Sequence, residues 1–443
     1  MADLSSIFVG IRSPNPFWLA SAPPTDKAYN VNRAFEAGWG GVVWKTVGEA
    51  GPPIVNVSGP RYGALHTSNR TLVGFNNIEL ITDRPLDVNL HEVREVKRAW
   101  PDRALVVSIM VPCAEEAWKS ILPMVEDTGC DGIELNFGCP HGMSERGMGS
   151  AVGQVPEYVE QVTRWCKAYS RLPVIVKLTP NITNILHPAR AAKQGGADAV
   201  SLINTITSIM GVDLDTFSPS PSVDGKASHG GYCGPAVKPI ALNMVAAIAR
   251  DPECAGMAIS GIGGISTWRD AAEYMALGAG NVQVCTAAMV YGFKIVEDMI
   301  DGLNNWMDSK SYRRIDAFSA KAVPNFVSWE KLNLNYTVKA RIDQSLCIKC
   351  GRCHIACEDT SHQAITLARN GVRHFEVIDA ECVGCNLCVE VCPVEHCITL
   401  LELPVGALDT RTGHAVGSYA NWETHPNNPA SGHAVAQSPA TAK

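Results

Sequence analysis

No uninterrupted run of about 18 apolar residues occurs in the chain, so nothing in it reads as a membrane-spanning helix. The opening residues, MADLSSIFVGIRSPNPF, lack the basic segment and long apolar stretch of a secretory signal, and the expectation is a cytoplasmic protein. Charge of one sign is also scarce. With 37 Lys and Arg against 44 Asp and Glu, the formal charge of −7 gives no general pull on nucleic acid or anionic lipid. No G-x-G-x-x-G follows a strand-like run; GIGGIS at 261–266 has the wrong spacing, so no dinucleotide-binding domain is expected here. A solenoid-type repeat is missing too. What remains is a chain of 443 residues, 46% hydrophobic and 18% charged, which is the composition of a soluble globular enzyme with room for a large core.

Cysteine, by contrast, is plentiful and uneven: of 16, seven are scattered through the first 290 residues and nine fall between Cys347 and Cys397. A disulfide scaffold would be short and cysteine-dense throughout, whereas one dense cluster in a cytosolic chain points to metal. The segments CIKCGRCHIAC and CVGCNLCVEVCP supply Cys347, Cys350, Cys353, Cys357 and Cys382, Cys385, Cys388, Cys392. Both have the C-x2-C-x2-C-x3-C spacing of two-cluster bacterial ferredoxins, in which three close thiolates hold one cube and the fourth ligates the other. The expected sets are Cys347, Cys350, Cys353 with Cys392, and Cys382, Cys385, Cys388 with Cys357, holding two 4Fe-4S clusters. A zinc module is the competing reading. The first motif departs from the pattern by placing Glu358 where proline is usual, and Cys397 is left over as a buried packing residue.

Between residues 18 and 290 lie eight β-type runs: WLASA, GVVWKT, LVVSIM, GIELNFG, VIVKLT, AVSLINT, MAISGIGG and NVQVCTA. Most are followed by helix-spaced apolar residues, as in DVNLHEVREVKRAW and STWRDAAEYMALGA. This alternation predicts an α/β fold, a (β/α)8 TIM barrel, with a doubly wound open sheet as the competitor because periodicity cannot show closure. The expected organisation is a barrel over 1–306, a helical linker over 307–335, a bacterial-ferredoxin-like α+β module over 336–402 and a tail without structure over 403–443. Two connections, 47–104 and 206–236, are too long for turns and leave C-terminal strand ends, the catalytic face of a barrel. The second is expected to cover the site or to join the barrel to the cluster module.

One-electron clusters without a nicotinamide site call for a cofactor that passes electrons singly and in pairs, as flavin does, and for a reductant that docks from another chain. Barrels commonly hold a phosphate at the loops after strands 7 and 8. Here those loops offer Gly263, Gly264, Ile265, Cys285 and Thr286, while Lys45 and Lys177 stand at two other strand ends.

NPFWLASAPPT, GWGGVVWKT, GFNNIELIT, NFGCPHGM, VIVKLTPNIT, SLINTITSI, SGIGGI and QVCTA, with the ferredoxin motifs behind them, resemble dihydropyrimidine dehydrogenase, in particular its bacterial subunit type, over roughly residues 5–402. The resemblance implies FMN in the barrel and reduction of the 5,6 double bond of uracil or thymine to the dihydropyrimidine. It also implies a PreT-like partner subunit that carries FAD and further Fe–S clusters and oxidises NAD(P)H, hence a hetero-oligomer. By the same resemblance Asn77, Asn136, Asn204 and Thr205 hold the pyrimidine, with Glu79 and Ile81 beside them. FMN then contacts Ala20, Ser21, Lys45, Thr46, Lys177, Gly263, Gly264, Ile265, Cys285 and Thr286. The amide of Asn carries a donor and an acceptor in one plane, which suits the adjacent N–H and C=O of an imide ring.

Cys139 follows the fourth run and begins a loop containing Gly142, Gly147 and Gly149. Hydride arriving at C6 of the ring leaves charge that requires a proton at C5, and a thiol of ordinary pKa, near 8.5, is protonated at neutral pH and can give it. A buried inert cysteine is the competing reading, and position together with the resemblance makes Cys139 the expected general acid, on a loop able to close over substrate, with His141 assisting. Two other readings compete: a dihydroorotate dehydrogenase-like flavoenzyme, and an electron-transfer subunit whose barrel is only a docking scaffold.

Overall fold

Runs of Val, Ile and Leu that are apolar on both sides suit parallel strands buried on both faces. In the computed structural model, which describes residues 2–51, 54–140, 147–368 and 373–418, these runs become eight barrel strands. They are β1 (Phe17–Leu19), β2 (Gly41–Val47), β3 (Ala104–Ile109), β4 (Gly132–Asn136), β5 (Val174–Lys177), β6 (Ala199–Leu202), β7 (Ala258–Ile262) and β8 (Asn281–Val284). Each pairs in parallel with the next, and β8 returns to β1 through Val282↔Phe17, Gln283↔Trp18 and Val284↔Leu19. That last ladder closes the sheet and rules out the doubly wound alternative.

Alternation along the strands separates two cores. Phe17, Leu19, Val42, Trp44, Leu105 and Val107 face the surrounding helices, while Trp18, Val43, Val106 and Ile175 form a separate inner cluster with Phe8 and Ile11. Phe8 and Ile11 come from an N-terminal hairpin, Ser6–Phe8 with Ile11–Ser13, and Phe8 meets Trp18 edge to face at 5.9 Å. The inner apolar residues sit early in their strands, so this hairpin plugs the N-terminal end of the barrel and leaves polar side chains for the other end.

The two long connections find each other. Segments 62–66 and 72–77 of the first, and 206–208 and 230–233 of the second, form one antiparallel four-stranded sheet beside the C-terminal ends of β2 and β6. Of the second connection, Cys233 and Gly234 reach the cleft at the barrel mouth.

The chain divides after Phe326 into two compact units. The last barrel helix, Ile295–Ser309, runs past residue 306, and the segment after it belongs to the barrel body instead of a separate linker. The reason is aromatic: Trp306, Tyr312 and Phe318 pack on one another, with Trp306 and Phe318 edge to face at 4.9 Å, and Phe318 is buried in the barrel's outer core. The second unit pairs Val338–Ile342 with Ile398–Glu402 and Ile365–Ala368 with His374–Val377, each pair antiparallel, around short helices Arg352–Thr360 and Leu387–Glu390. This is a ferredoxin-like α+β arrangement. The tail also departs from expectation: residues 408–409 and 414–415 pair as a small ribbon, because Asp409 is buried against Lys339. Residues 419–443 lie outside the described part.

Candidate active site

A cleft of about 1130 Å³, solvent at its mouth included, opens at the C-terminal ends of the strands. It is lined by every expected site residue of the barrel that the structure describes. Ala20 and Ser21 follow β1, Lys45 and Thr46 end β2, Asn136 ends β4, Lys177 ends β5, Gly263 to Ile265 follow β7, and Cys285 and Thr286 follow β8. Asn77, Glu79 and Ile81 enter from the first long connection, Asn204 and Thr205 from the second, and Cys139 from the loop after β4. His141 lies outside the described residues.

The asparagine amides are oriented by one another. Asn136 Nδ2 donates to Thr46 Oγ1 at 2.9 Å, and its Oδ1 accepts from Gly138 N at 3.2 Å and from Asn204 Nδ2 at 3.1 Å. Asn204 Oδ1 in turn accepts from Thr205 N at 2.8 Å. Asn77 donates to Gly231 O at 3.2 Å and accepts from Glu79 N at 3.2 Å, which ties it to the covering sheet. Fixing these planes beforehand lowers the cost of matching an imide edge.

Charge in the cleft is paired. Lys45 Nζ lies 2.9 Å from Glu79 Oε1 and 3.8 Å from Asp26 Oδ2. Glu79 also receives Arg61 Nη1 at 3.2 Å and Tyr62 OH at 3.3 Å. Burial works to raise the Glu79 carboxyl, but Lys45 and Arg61 outweigh it and hold the group below its ordinary value. For Asp26 burial wins over Lys45, and its pKa rises. Deeper in the barrel, Lys177 Nζ stands 3.7 Å from Glu134 Oε1, whose Oε2 accepts from Ser201 Oγ at 2.8 Å and Gln283 Nε2 at 3.1 Å.

Cys139 is nearly buried, packed with Ile81, Met110 and Met148, and its carbonyl accepts from Ser150 N at 3.0 Å. Two further thiols share the cleft. Burial raises Cys233 and pushes Cys285 up to about 12, so both stay protonated.

The cleft has features that fit a flavin phosphate and ring. Gly264 has φ +69°, and a Cβ there would come within 2.8 Å of Lys238 Cβ and 2.9 Å of Gly234 O, so the loop after β7 brings bare backbone to the cleft. Gln283 Oε1, although buried, has no hydrogen-bond partner among the described residues, which leaves an acceptor for a ligand N–H.

In the second unit, one cavity is lined by Cys357, Cys382, Cys385 and Cys388, and another by Cys347, Cys350, Cys353 and Cys392, with Cys397 beside them. Among the described residues no three His, Cys, Asp or Glu side chains converge as a single-ion site. Thiols ringing a cavity suit a cube, whose irons sit at separate corners, better than one zinc ion. Ala364 N donates to Cys357 Sγ at 3.2 Å and Ala340 N to Cys382 Sγ at 3.5 Å, contacts of the kind that tune such sulfurs.

Several residues of the site were not anticipated: Asp26, Arg61, Tyr62, Phe75, Cys233, Glu134 and Gln283. Glu134 had a signal, a carboxylate inside an apolar strand run. Tyr62 and Phe75, stacked at 5.4 Å beside the cleft, had none, since they meet only once the covering sheet forms.

The dihydroorotate dehydrogenase family model matches residues 3–307, and the 4Fe-4S dicluster domain model matches residues 340–400. The NAD-dependent dihydropyrimidine dehydrogenase subunit PreA of Escherichia coli (strain K12) is 43% identical over 401 residues, covering 90% of this chain and 96% of its own. The chloroplastic dihydropyrimidine dehydrogenase (NADP(+)) of Arabidopsis thaliana is 41% identical over 334 residues, 74% of this chain and 78% of its own. The catalytic subunit of dihydroorotate dehydrogenase B (NAD(+)) from Thermoplasma volcanium is 33% identical, covering 73% of this chain and 99% of its own. Among solved structures, ligand-free DHODH from Eimeria tenella superposes with a TM-score of 0.60 at 20% identity, covering 72% of this chain and 92% of that one, a likeness of fold.

Proposed function

Since the chain belongs to the dihydropyrimidine dehydrogenase subunits, oxidoreductases built on the dihydroorotate dehydrogenase barrel, we propose that it reduces the 5,6 double bond of uracil and thymine, reversibly, in the cytoplasm. One observation carries this reading: a fixed set of amides, Asn77, Asn136 and Asn204, shares a single cleft with a thiol, Cys139, and with the glycine loop after β7. FMN, when bound, supplies hydride for C6 of the ring, and the two 4Fe-4S clusters supply one-electron continuity with a PreT-like partner subunit that carries FAD and oxidises NAD(P)H.

Gly263, Gly264 and Ile265 hold the flavin phosphate with backbone N–H groups, together with Cys285 and Thr286. Lys45 and Lys177, assisted by Ala20, Ser21 and Thr46, place positive charge beside the flavin ring and its ribityl chain. Asn77, Asn136, Asn204 and Thr205 grip the pyrimidine, and Glu79 and Ile81 border it. Cys139 gives its proton to C5, with His141 in support, while its apolar neighbours Ile81, Met110 and Met148 keep water from competing for that position.

The rival reading, dihydroorotate oxidation, draws on the barrel's family match and on the Thermoplasma relative. Purified chain and partner, given NAD(P)H and either uracil or orotate, separate the two. Uracil-dependent oxidation of the nicotinamide is expected; turnover of orotate alone overturns the proposal.

A further inference from the structure

Burying an ammonium group without a partner costs several kcal/mol, so a lysine inside a strand core is placed there for a reason. Lys339, in strand Val338–Ile342, is 1% exposed. Its Nζ donates to Cys382 O at 2.7 Å and to Asp379 O at 3.0 Å, and lies 2.8 Å from Asp409 Oδ1. Those three contacts account for the three donors of the ammonium. Cys382 is the first thiol of the second cysteine motif, and the adjacent residue, Ala340, donates its N–H to the Cys382 sulfur. Arg341 grips Asp379 from the same strand at 2.7 and 3.0 Å. Asp409 is itself 5% exposed and arrives on the C-terminal ribbon, its carboxylate further held by Arg411 N at 3.1 Å and Thr412 Oγ1 at 3.2 Å.

We propose that Lys339 and Asp409 are positioning residues for the cluster held by Cys357, Cys382, Cys385 and Cys388, and that Asp409, brought in by the ribbon, cancels the shift that the buried Lys339 charge alone would impose on that cluster's reduction potential. The inference rests on the iron–sulfur assignment made under the proposed function. Reduction adds negative charge to a cluster, which a nearby cation favours and a nearby anion opposes, and net charge is among the main determinants of such potentials. With both charges present the two effects offset. Leaving either one alone moves the potential, in opposite directions.

The test is an EPR-monitored redox titration of the full-length, iron-loaded protein. Wild type, Asp409→Asn, Lys339→Met and the double variant Lys339→Met/Asp409→Leu are compared. Expected are two cluster potentials in wild type, of which one rises in Asp409→Asn, falls in Lys339→Met and returns close to wild type in the double variant, while the other stays put. Unshifted potentials in the single variants, or equal movement of both clusters, overturn the proposal. If Lys339→Met fails to load iron, Asp409→Asn alone decides, and no shift there is the overturning result. Wild-type protein lacking two cluster signals would instead refute the iron–sulfur assignment itself, which keeps the two failures apart.

Discussion

Replacing Gly149 with Ala should disable the thiol without touching it. Gly149 sits at φ +57°, ψ −123°, a region that side chains avoid, and holding alanine there costs about 1–3 kcal/mol. The added Cβ would stand 2.8 Å from Cys139 O and 3.1 Å from Cys139 Cβ. That contact forces the carbonyl aside, and because it also accepts from Ser150 N at 3.0 Å, loss of that bond adds about 1 kcal/mol. A local penalty of about 2–4 kcal/mol is most easily relieved by displacing Cys139 from its contact with Ile81, Met110 and Met148. A shift of about 1 Å in a reacting group costs on the order of 100-fold in rate. The assay is uracil-dependent NAD(P)H oxidation with the partner subunit, alongside flavin and iron content. Turnover should fall by about 100-fold with both contents at wild-type level. Turnover within about twofold of wild type would show that the backbone behind Cys139 does not set its position, and the reasoning fails.

Cys139→Ala should keep flavin and iron but lower turnover by about 100- to 10,000-fold, the range for a lost general acid; near-normal turnover excludes Cys139 from that role. Cys392→Ser should remove one cluster and leave roughly half of the iron, read by iron and sulfide assay, and full retention would break the crossed ligand sets. Glu79 is held below its ordinary pKa, so its pairs stabilise the fold at neutral pH and lose that contribution as pH falls through the ordinary carboxylate range toward the lowered value. The drop in Tm between about pH 7 and pH 4 should accordingly be smaller in Glu79→Gln than in wild type, and an equal drop would refute the claim. The same variant removes one of the two carboxylates paired with Lys45 and the one paired with Arg61, and should bind orotate, an anion, more tightly than wild type in a competition assay.

Much of the fold was legible because it is written locally. Strands buried on both faces need unbroken apolar runs, and eight of these read directly as β1 to β8. Cluster ligands three residues apart need no tertiary knowledge either, and the motifs carried a resemblance that relatives at 43% and 41% identity bear out. The expected site residues could be named from the same motifs, since most stand at strand ends, and the structure brings the described ones to one cleft.

Other features have no local signature. The sheet over the barrel mouth pairs Asn77 with Gly231, so Tyr62, Phe75 and Cys233 reach the cleft only after distant loops meet. Arg61 looks like an ordinary surface residue until Glu79 is placed beside it. The stretch after residue 403 has a loop-like composition, yet Asp409 folds back because a buried ammonium, Lys339, requires an anion. Periodicity and spacing depend on neighbours along the chain, and these gave the strands and the cysteine motifs, while the candidate chemistry came from the family resemblance that the motifs carry. Closure of the barrel, the covering sheet and the pairing of its charges were decided in three dimensions, where burial makes each polar group depend on whatever partner the fold brings to it.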